Sequence, residues 1–314
     1  RWIYVLSAIP MVIGFALTFW LCPVPGPAEH ARVDVAGAAL SAVGLAATVY
    51  ALIESQQHGW GDPLVTGSLV GVASLLGFVA WEHRAPHPMV PLGLFAIRNF
   101  AGANLATAFV YGAIMLGGLS TALYIQEVAG YSAVVAGLIT LPSPILSMLF
   151  ARRVGRMAAR IGPKVFLMAG PMLAGFGLLL IRPAAHGFNI VTDLLPGRVV
   201  LATGLVLTIT PLTALNLSAV ESVHSGIAAA IQNAVGRTSA LIAVACVGLI
   251  AAGTLTDASF ARLLQVGAVL FFIGAVISGI TITNRPVPAE PVPGEVAALR
   301  RDQHHTQPDL AGRA

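Results

Sequence analysis

The feature that most constrains this chain is the recurrence of long apolar runs. Nine stretches qualify, at approximately 3–22, 35–53, 64–81, 101–125, 133–151, 164–182, 194–217, 228–253 and 264–283. Each is close to the roughly 20 residues that a helix needs to cross a bilayer. A backbone in lipid must satisfy its polar groups internally, and no strand-like alternation runs through these stretches. The expected fold class is therefore all-α, a polytopic membrane protein with nine transmembrane helices. Composition agrees. Of 314 residues 57% are apolar and 10% charged, against about 25% charged in soluble domains. That excludes a conventional soluble enzyme and, equally, a disordered chain. The 33 Gly and 20 Pro are scattered through the apolar runs, which membrane helices tolerate. Two cysteines, Cys22 and Cys246, are too few for a disulfide framework or a four-cysteine zinc site.

Helix punctuation borders the runs. Asp34 is placed to cap the second stretch, Asp62-Pro63 to open the third, and Asn99 to cap the fourth. The basic residues between runs set an orientation. With the 152–163 connection in the cytoplasm, that side collects Arg32, Arg84, Arg98, Arg152, Arg153, Arg156, Arg160, Lys164, Arg285, Arg300, Arg301 and Arg313. The other side keeps Arg1, Arg182, Arg198 and Arg262. The expected location is the cell membrane with a cytoplasmic C-terminus. The formal charge of +4 then reflects topology, and no nucleic-acid partner is expected. The Pro-rich segment from about Asn284 cannot bury a core and reads as a disordered tail.

Ionisable residues inside spans are functional suspects because each is costly there. Asp34, Glu54, Asp62, Glu82, Glu127, Asp193, Glu221 and Asp257 all fall at span ends or in connections, where caps and solvated ends are the simpler reading. Arg237 is the exception. It follows Asn233 by four residues in IQNAVGRTSALIAV, so both share a helix face. That face is either a wet pathway or the stem of an Arg that snorkels to the surface. Asn104, Thr107 and Tyr111 share a face of the fourth span, and Thr203, Thr208, Thr210, Thr213 and Asn216 surround Pro211 in the seventh. Interhelical hydrogen bonding is the simpler role for both groups. The pairs His83/His87 and His304/His305 are poor metal ligands, the first interrupted by Pro86 and the second in the tail. No metal or cofactor is expected. No GxxxxGK[ST], HExxH or GxSxG motif occurs, so the chain does not read as an enzyme, and transport by it would be ion-coupled.

The connection GRMAARIGPK, with Gly155, Arg156, Arg160, Gly162 and Lys164, resembles the loop signature G-x-x-x-D-R-x-G-R-[RK] of the major facilitator superfamily, with Ala159 in place of Asp and Pro163 in place of Arg. In that reading Gly155 lets two helices approach, Gly162 makes the turn, and the three cations hold the loop in the cytoplasm. WEHRAPHPMVPLGLFAIRNFAGANLATAFVYG is similar to the stretch leading from two extra helices into the second half of fourteen-span drug/proton antiporters. HSGIAAAIQNAVGRTSALIAVACVG is similar to their penultimate-helix entry, with Gly226, Asn233 and Arg237 matching and Ala229-Ala230 replacing Ser-Gly. RWIYVLSAIP resembles the entry to their sixth helix, with Ala8 in place of Asn.

The resemblance implies a fourteen-span transporter lacking its first five helices, a partial major facilitator fold with a complete C-terminal six-helix half. Residues 1–22 become the last helix of the N-terminal half and 23–100 two extra helices with a cytoplasmic linker. Residues 101–283 become the six-helix half, and 284–314 the tail. The fourth, fifth, seventh and eighth spans would line the cavity, making Asn104, Tyr111, Asn216, Asn233 and Arg237 pathway or gate candidates. The implied activity is secondary active, proton-coupled efflux of small drug-like molecules. The family's proton-carrying carboxylates lie largely in the missing half, so this chain is expected to be inactive alone. A same-fold exporter of a metabolite and a non-transporting membrane remnant are the alternatives.

Overall fold

A computed structural model describes residues 2–21, 34–58, 61, 69–85, 90, 92–183, 187–221, 224–251 and 255–284. Asp62-Pro63, His87 and the tail with His304 and His305 lie outside the described residues. Within them the chain is helical, with no strand. The helices are α1 (Trp2–Leu21), α2 (Val35–His58), α3 (Leu69–Glu82), α4 (Arg98–Val128), α5 (Ala133–Ile161), α6 (Pro163–Leu179), α7 (Ile190–Ser218), α8 (Ser225–Ala251) and α9 (Asp257–Thr281). Five of them, α4, α5, α7, α8 and α9, are long and apolar enough to cross a membrane, and the other four carry shorter apolar stretches. The chain is an all-helical, multi-pass membrane protein.

Helices α4 to α9 form one body with an exchange pattern. α4 packs on α8 and α9, whereas α7 packs on α5 and α6; α6 meets α9, and α4 touches α7. Swapping α4 with α7, α5 with α8 and α6 with α9 leaves this pattern unchanged. The six helices are thus two interlocked triplets, the arrangement of paired three-helix repeats.

Small residues set the tightest seam, since backbones approach in lipid only where side chains are absent. A Cβ on Gly177 of α6 would lie 2.4 Å from Leu201 N, and one on Gly204 of α7 would lie 2.4 Å from Ala174 N. Leu178 of α6 fills the space left by Gly117 of α4 and Gly267 of α9, each of whose hypothetical Cβ would fall 2.9 Å from its side chain. Tyr124, buried at the end of α4, stacks on Phe260 with centroids 4.0 Å apart and donates its hydroxyl to Asp257, the first residue of α9.

Helices α2 and α3 form a hairpin that rests on α8 through α2. Asp34 caps α2 as its sequence position predicts: Oδ1 accepts from Gly37 N at 2.9 Å and from Trp81 Nε1 at 3.1 Å. Residues 8–21 of α1 are exposed on every face.

Three expectations change. Glu82 is not a solvated end: it is 3% exposed, and Val90 N donates to its Oε1 at 3.2 Å. Asn99 does not cap α4, which begins at Arg98 after an uncapped Ile97. Its side chain instead accepts from Thr283 N at 3.0 Å and donates to Thr283 O at 3.2 Å, tying α4 to the end of α9. Arg198, counted with the outer-side cations although it falls in the 194–217 run, is not a free end charge. Leu195-Pro196 starts the regular part of α7, so Arg198 lies inside that helix and is 8% exposed.

Candidate functional site

The sequence candidates fall into two groups with Tyr111 between them. Asn104 of α4 and Asn216 of α7 are buried and face each other across the bundle. Asn104 Nδ2 donates to Asn216 Oδ1 at 3.2 Å and to Phe100 O at 3.0 Å, and Asn216 Nδ2 returns a longer bond at 3.5 Å. A reciprocal amide pair satisfies groups that would be expensive to leave bare in an apolar interior. It joins the two helices that exchange places in the triplet pattern. Thr107 and Thr208 are also buried, and each donates to the carbonyl four residues back, so their hydroxyls serve their own helices.

Asn233 and Arg237 lie on an exposed stripe of α8 and form no hydrogen bond or ion pair with a described residue. Arg237 is the thirteenth of 27 residues of α8, about 18 Å along the axis from Ser225. The 27 residues of α8 extend about 40 Å against a hydrocarbon core of about 30 Å, so the Arg237 backbone lies about 8 Å or more inside the core, where its cation needs water, a protein partner or a snorkelling path. One residue earlier on α8, Gly236 lies beneath the ring of Tyr111, where a Cβ would approach to 3.1 Å. The half-buried Tyr111 hydroxyl has no hydrogen-bond partner among the described residues. Asn104 and Asn216 therefore form a direct contact, Tyr111 packs against α8 next to Arg237, and Asn233 and Arg237 stand on the open face.

Buried polar side chains also occur outside the site candidates. Gln232 of α8 is 7% exposed and its Nε2 has no partner among the described residues; the Nε of Arg198 is likewise buried and unpartnered. Adjacent to the exposed Asn233, Gln232 gives no periodicity signal of its own. For Arg198 the signal was present: it falls inside the 194–217 run, two residues after Pro196, a first-turn helix residue.

The 155–164 connection behaves partly as its motif suggests. Gly162 has φ +101°, a conformation side chains avoid, and a Cβ there would collide with Asn284. Asn284 Oδ1 accepts from Lys164 N at 3.1 Å, so a residue after α9 caps the start of α6. Gly155 differs. A Cβ there would lie 3.5 Å from Thr210 Cγ2, an ordinary contact, so the approach of α5 and α7 does not require glycine at this position. Arg156 and Arg160 are exposed and Lys164 is half-buried. Among the described residues no cluster of His, Cys, Asp and Glu could hold a metal ion.

A helical membrane body of two interlocked triplets, with an unpartnered polar stripe midway along α8, defines an integral membrane protein of the transporter-like class. Residues 1–244 match the family model of the Major Facilitator Superfamily. The chain belongs to that superfamily. It is 31% identical over 230 residues to the multidrug resistance protein Stp of Mycobacterium tuberculosis, covering 72% of this chain and 42% of that protein. It is 28% identical over 226 residues to the puromycin resistance protein pur8 of Streptomyces alboniger, covering 71% and 45%. It is 26% identical over 228 residues to the multidrug efflux pump LfrA of Mycolicibacterium smegmatis, covering 73% and 44%. The chain thus spans less than half the length of these relatives.

Proposed function

We propose that this chain is the C-terminal part of a secondary active exporter that moves small amphiphilic or cationic molecules out of the cell against proton entry. In this reading residues 1–22 are the last helix of an N-terminal half and 23–100 an accessory hairpin with its linker. Residues 101–283 form the C-terminal half, and 284–314 a cytoplasmic tail. The cavity lies between the halves, with Asn233 and Arg237 on its wall and Tyr111 beside them. The observation that carries the reading is the unpartnered pair Asn233 and Arg237 at the middle of α8. Lipid would penalise an open cation at that depth, whereas a wet pathway accommodates it. The drug-resistance and efflux roles named for its relatives support drug-like cargo. The described spans α4 to α9 carry acidic residues only near their ends, which supports coupling carboxylates outside this six-helix half.

Two measurements test this. Liposomes holding only these 314 residues are expected to show no drug-dependent proton flux; such flux would refute the need for a second half. In the longer parent protein, a cysteine introduced beside Arg156 is expected to resist external labelling in intact cells. Labelling from outside would overturn the orientation.

A further inference from the structure

The second half of α5 holds a charged cleft that the proposed transport cycle does not use. Arg153, Arg156, Met157 and Arg160 line a recess of about 330 Å³. The three guanidiniums form no ion pair or hydrogen bond with a described residue. Arg153, which lines the recess, rests over the Phe150 ring at 5.8 Å, a contact that restrains its guanidinium. α5 itself contains no acid, α6 contains none, and the one acid of α7, Asp193, lies at the opposite end of that helix. Like charges three and four residues apart repel on a helix, so the cleft is poised for an anion.

The same ridge continues away from the cleft as an apolar surface. Ile145, Leu149, Arg153, Arg156 and Arg160 follow one another at steps of four, four, three and four along one face. Ile145 is 51% and Leu149 61% exposed, and the neighbouring Met148 is 89% exposed. A free anion would need only the cationic end. A ridge that is cationic at one end and apolar through the adjoining turns matches an amphiphile with a negative head. We infer that the cleft seats the phosphate of an anionic phospholipid, whose acyl chains lie along Ile145, Met148 and Leu149. The site is independent of cargo and of Arg237.

Native mass spectrometry of the purified 314-residue chain tests it, with phosphatidylglycerol titrated against phosphatidylcholine of the same acyl chains. Phosphatidylglycerol adducts are expected to exceed phosphatidylcholine adducts by about tenfold. The triple variant Arg153→Gln, Arg156→Gln, Arg160→Gln should fall to the phosphatidylcholine level with its elution volume unchanged. The single variant Arg156→Gln should fall about threefold. The pair Arg182→Gln, Arg262→Gln, at the other end of the bundle, should leave binding intact. Equal adducts for both lipids, or full retention in the triple variant, would overturn the proposal. Displacement by an equal concentration of inorganic phosphate would mark a free-anion site and overturn it too. Loss of the preference in the longer parent, where further helices could cover the ridge, would assign the face to protein contact instead.

Discussion

Helices α4 and α7 bury 50% and 56% of their most apolar windows, whereas α5 and α8 bury 11% and 22%. Hydropathy does not explain the difference. The less buried helices are the more apolar, at 1.9 each against 1.6 and 1.7. In a bilayer, apolar surface is equally content against lipid or protein, so burial follows small residues and polar pairs. α4 and α7 carry Gly102, Gly117, Gly197 and Gly204, all in close backbone or side-chain approach, and they share the Asn104–Asn216 bond. On α5, a Cβ at Gly137 would meet nothing within 4 Å. The exchange pattern pairs α5 with α8. The two helices left open are thus equivalent members of the two triplets.

The largest expected effect comes from closing the tight seam. In Gly204→Val the new Cβ would meet Ala174 N at 2.4 Å, with Gly170 O at 2.6 Å, and backbone cannot step aside as a side chain can. We expect a loss of about 3 kcal/mol or more, at the upper end of overpacking costs, read as a collapse of the monodisperse detergent peak on mild heating. Gly226→Ala on α8, where a Cβ would meet nothing within 4 Å, should leave that peak in place. Equal damage from both would break the contrast between seam and open face.

The open face is tested by function, not by stability. Arg237→Ala in the longer parent should reduce efflux by about tenfold or more, a loss near 1.4 kcal/mol, with normal insertion. Arg237→Lys should recover part of it if charge is what matters, and little if the planar fork matters. Unchanged transport in both variants would reduce Arg237 to a snorkelling side chain.

Between these extremes lie the polar ties. A double-mutant cycle on Asn104→Ala and Asn216→Ala should return a coupling of about 0.6 to 1.7 kcal/mol, the range for hydrogen bonds between membrane helices. Zero coupling would mean that each amide is satisfied without the other. Gly162→Ala should cost about 1–3 kcal/mol through its backbone conformation, and Asn284→Ala about 1 kcal/mol through the lost cap on α6. The order of the two is the useful readout in a thermal unfolding series.

How much of this was legible in advance depended on which physical signal each feature leaves. Helix existence was readable because lipid imposes both length and internal hydrogen bonding, and the runs at 35–53 and 133–151 became α2 and α5. Asp34 was readable because capping is local. Partner choice was not, because nothing near Gly177 states that Leu201 will lie against it. Glu82 and Asn99 misled for the same reason. Each stands at a helix end, where a local cap or solvent is the cheapest guess, and each instead bonds a residue outside its own helix, Val90 in one case and Thr283 in the other. Of the site candidates, the shared face of Asn233 and Arg237 follows from spacing. That Asn104 and Asn216 meet is a tertiary fact, 112 residues apart.

The smallest expected effect falls on a residue that the sequence motif makes prominent. Gly155 lies in α5 opposite Thr210 of α7, and the added methyl of Gly155→Ala would sit 3.5 Å from Thr210 Cγ2. That is van der Waals contact without collision, so sterics predict no penalty. Alanine also loses less backbone entropy than glycine within a helix, by about 0.8–1 kcal/mol in water. The substitution should therefore be neutral or slightly stabilising in this chain, within about 0.5 kcal/mol by thermal unfolding. A loss comparable to that of Gly162→Ala would show that α5 and α7 approach more closely in the membrane than in this packing. It would then place Gly155 with the seam glycines of α6 and α7, and α5 would no longer count among the loosely held helices.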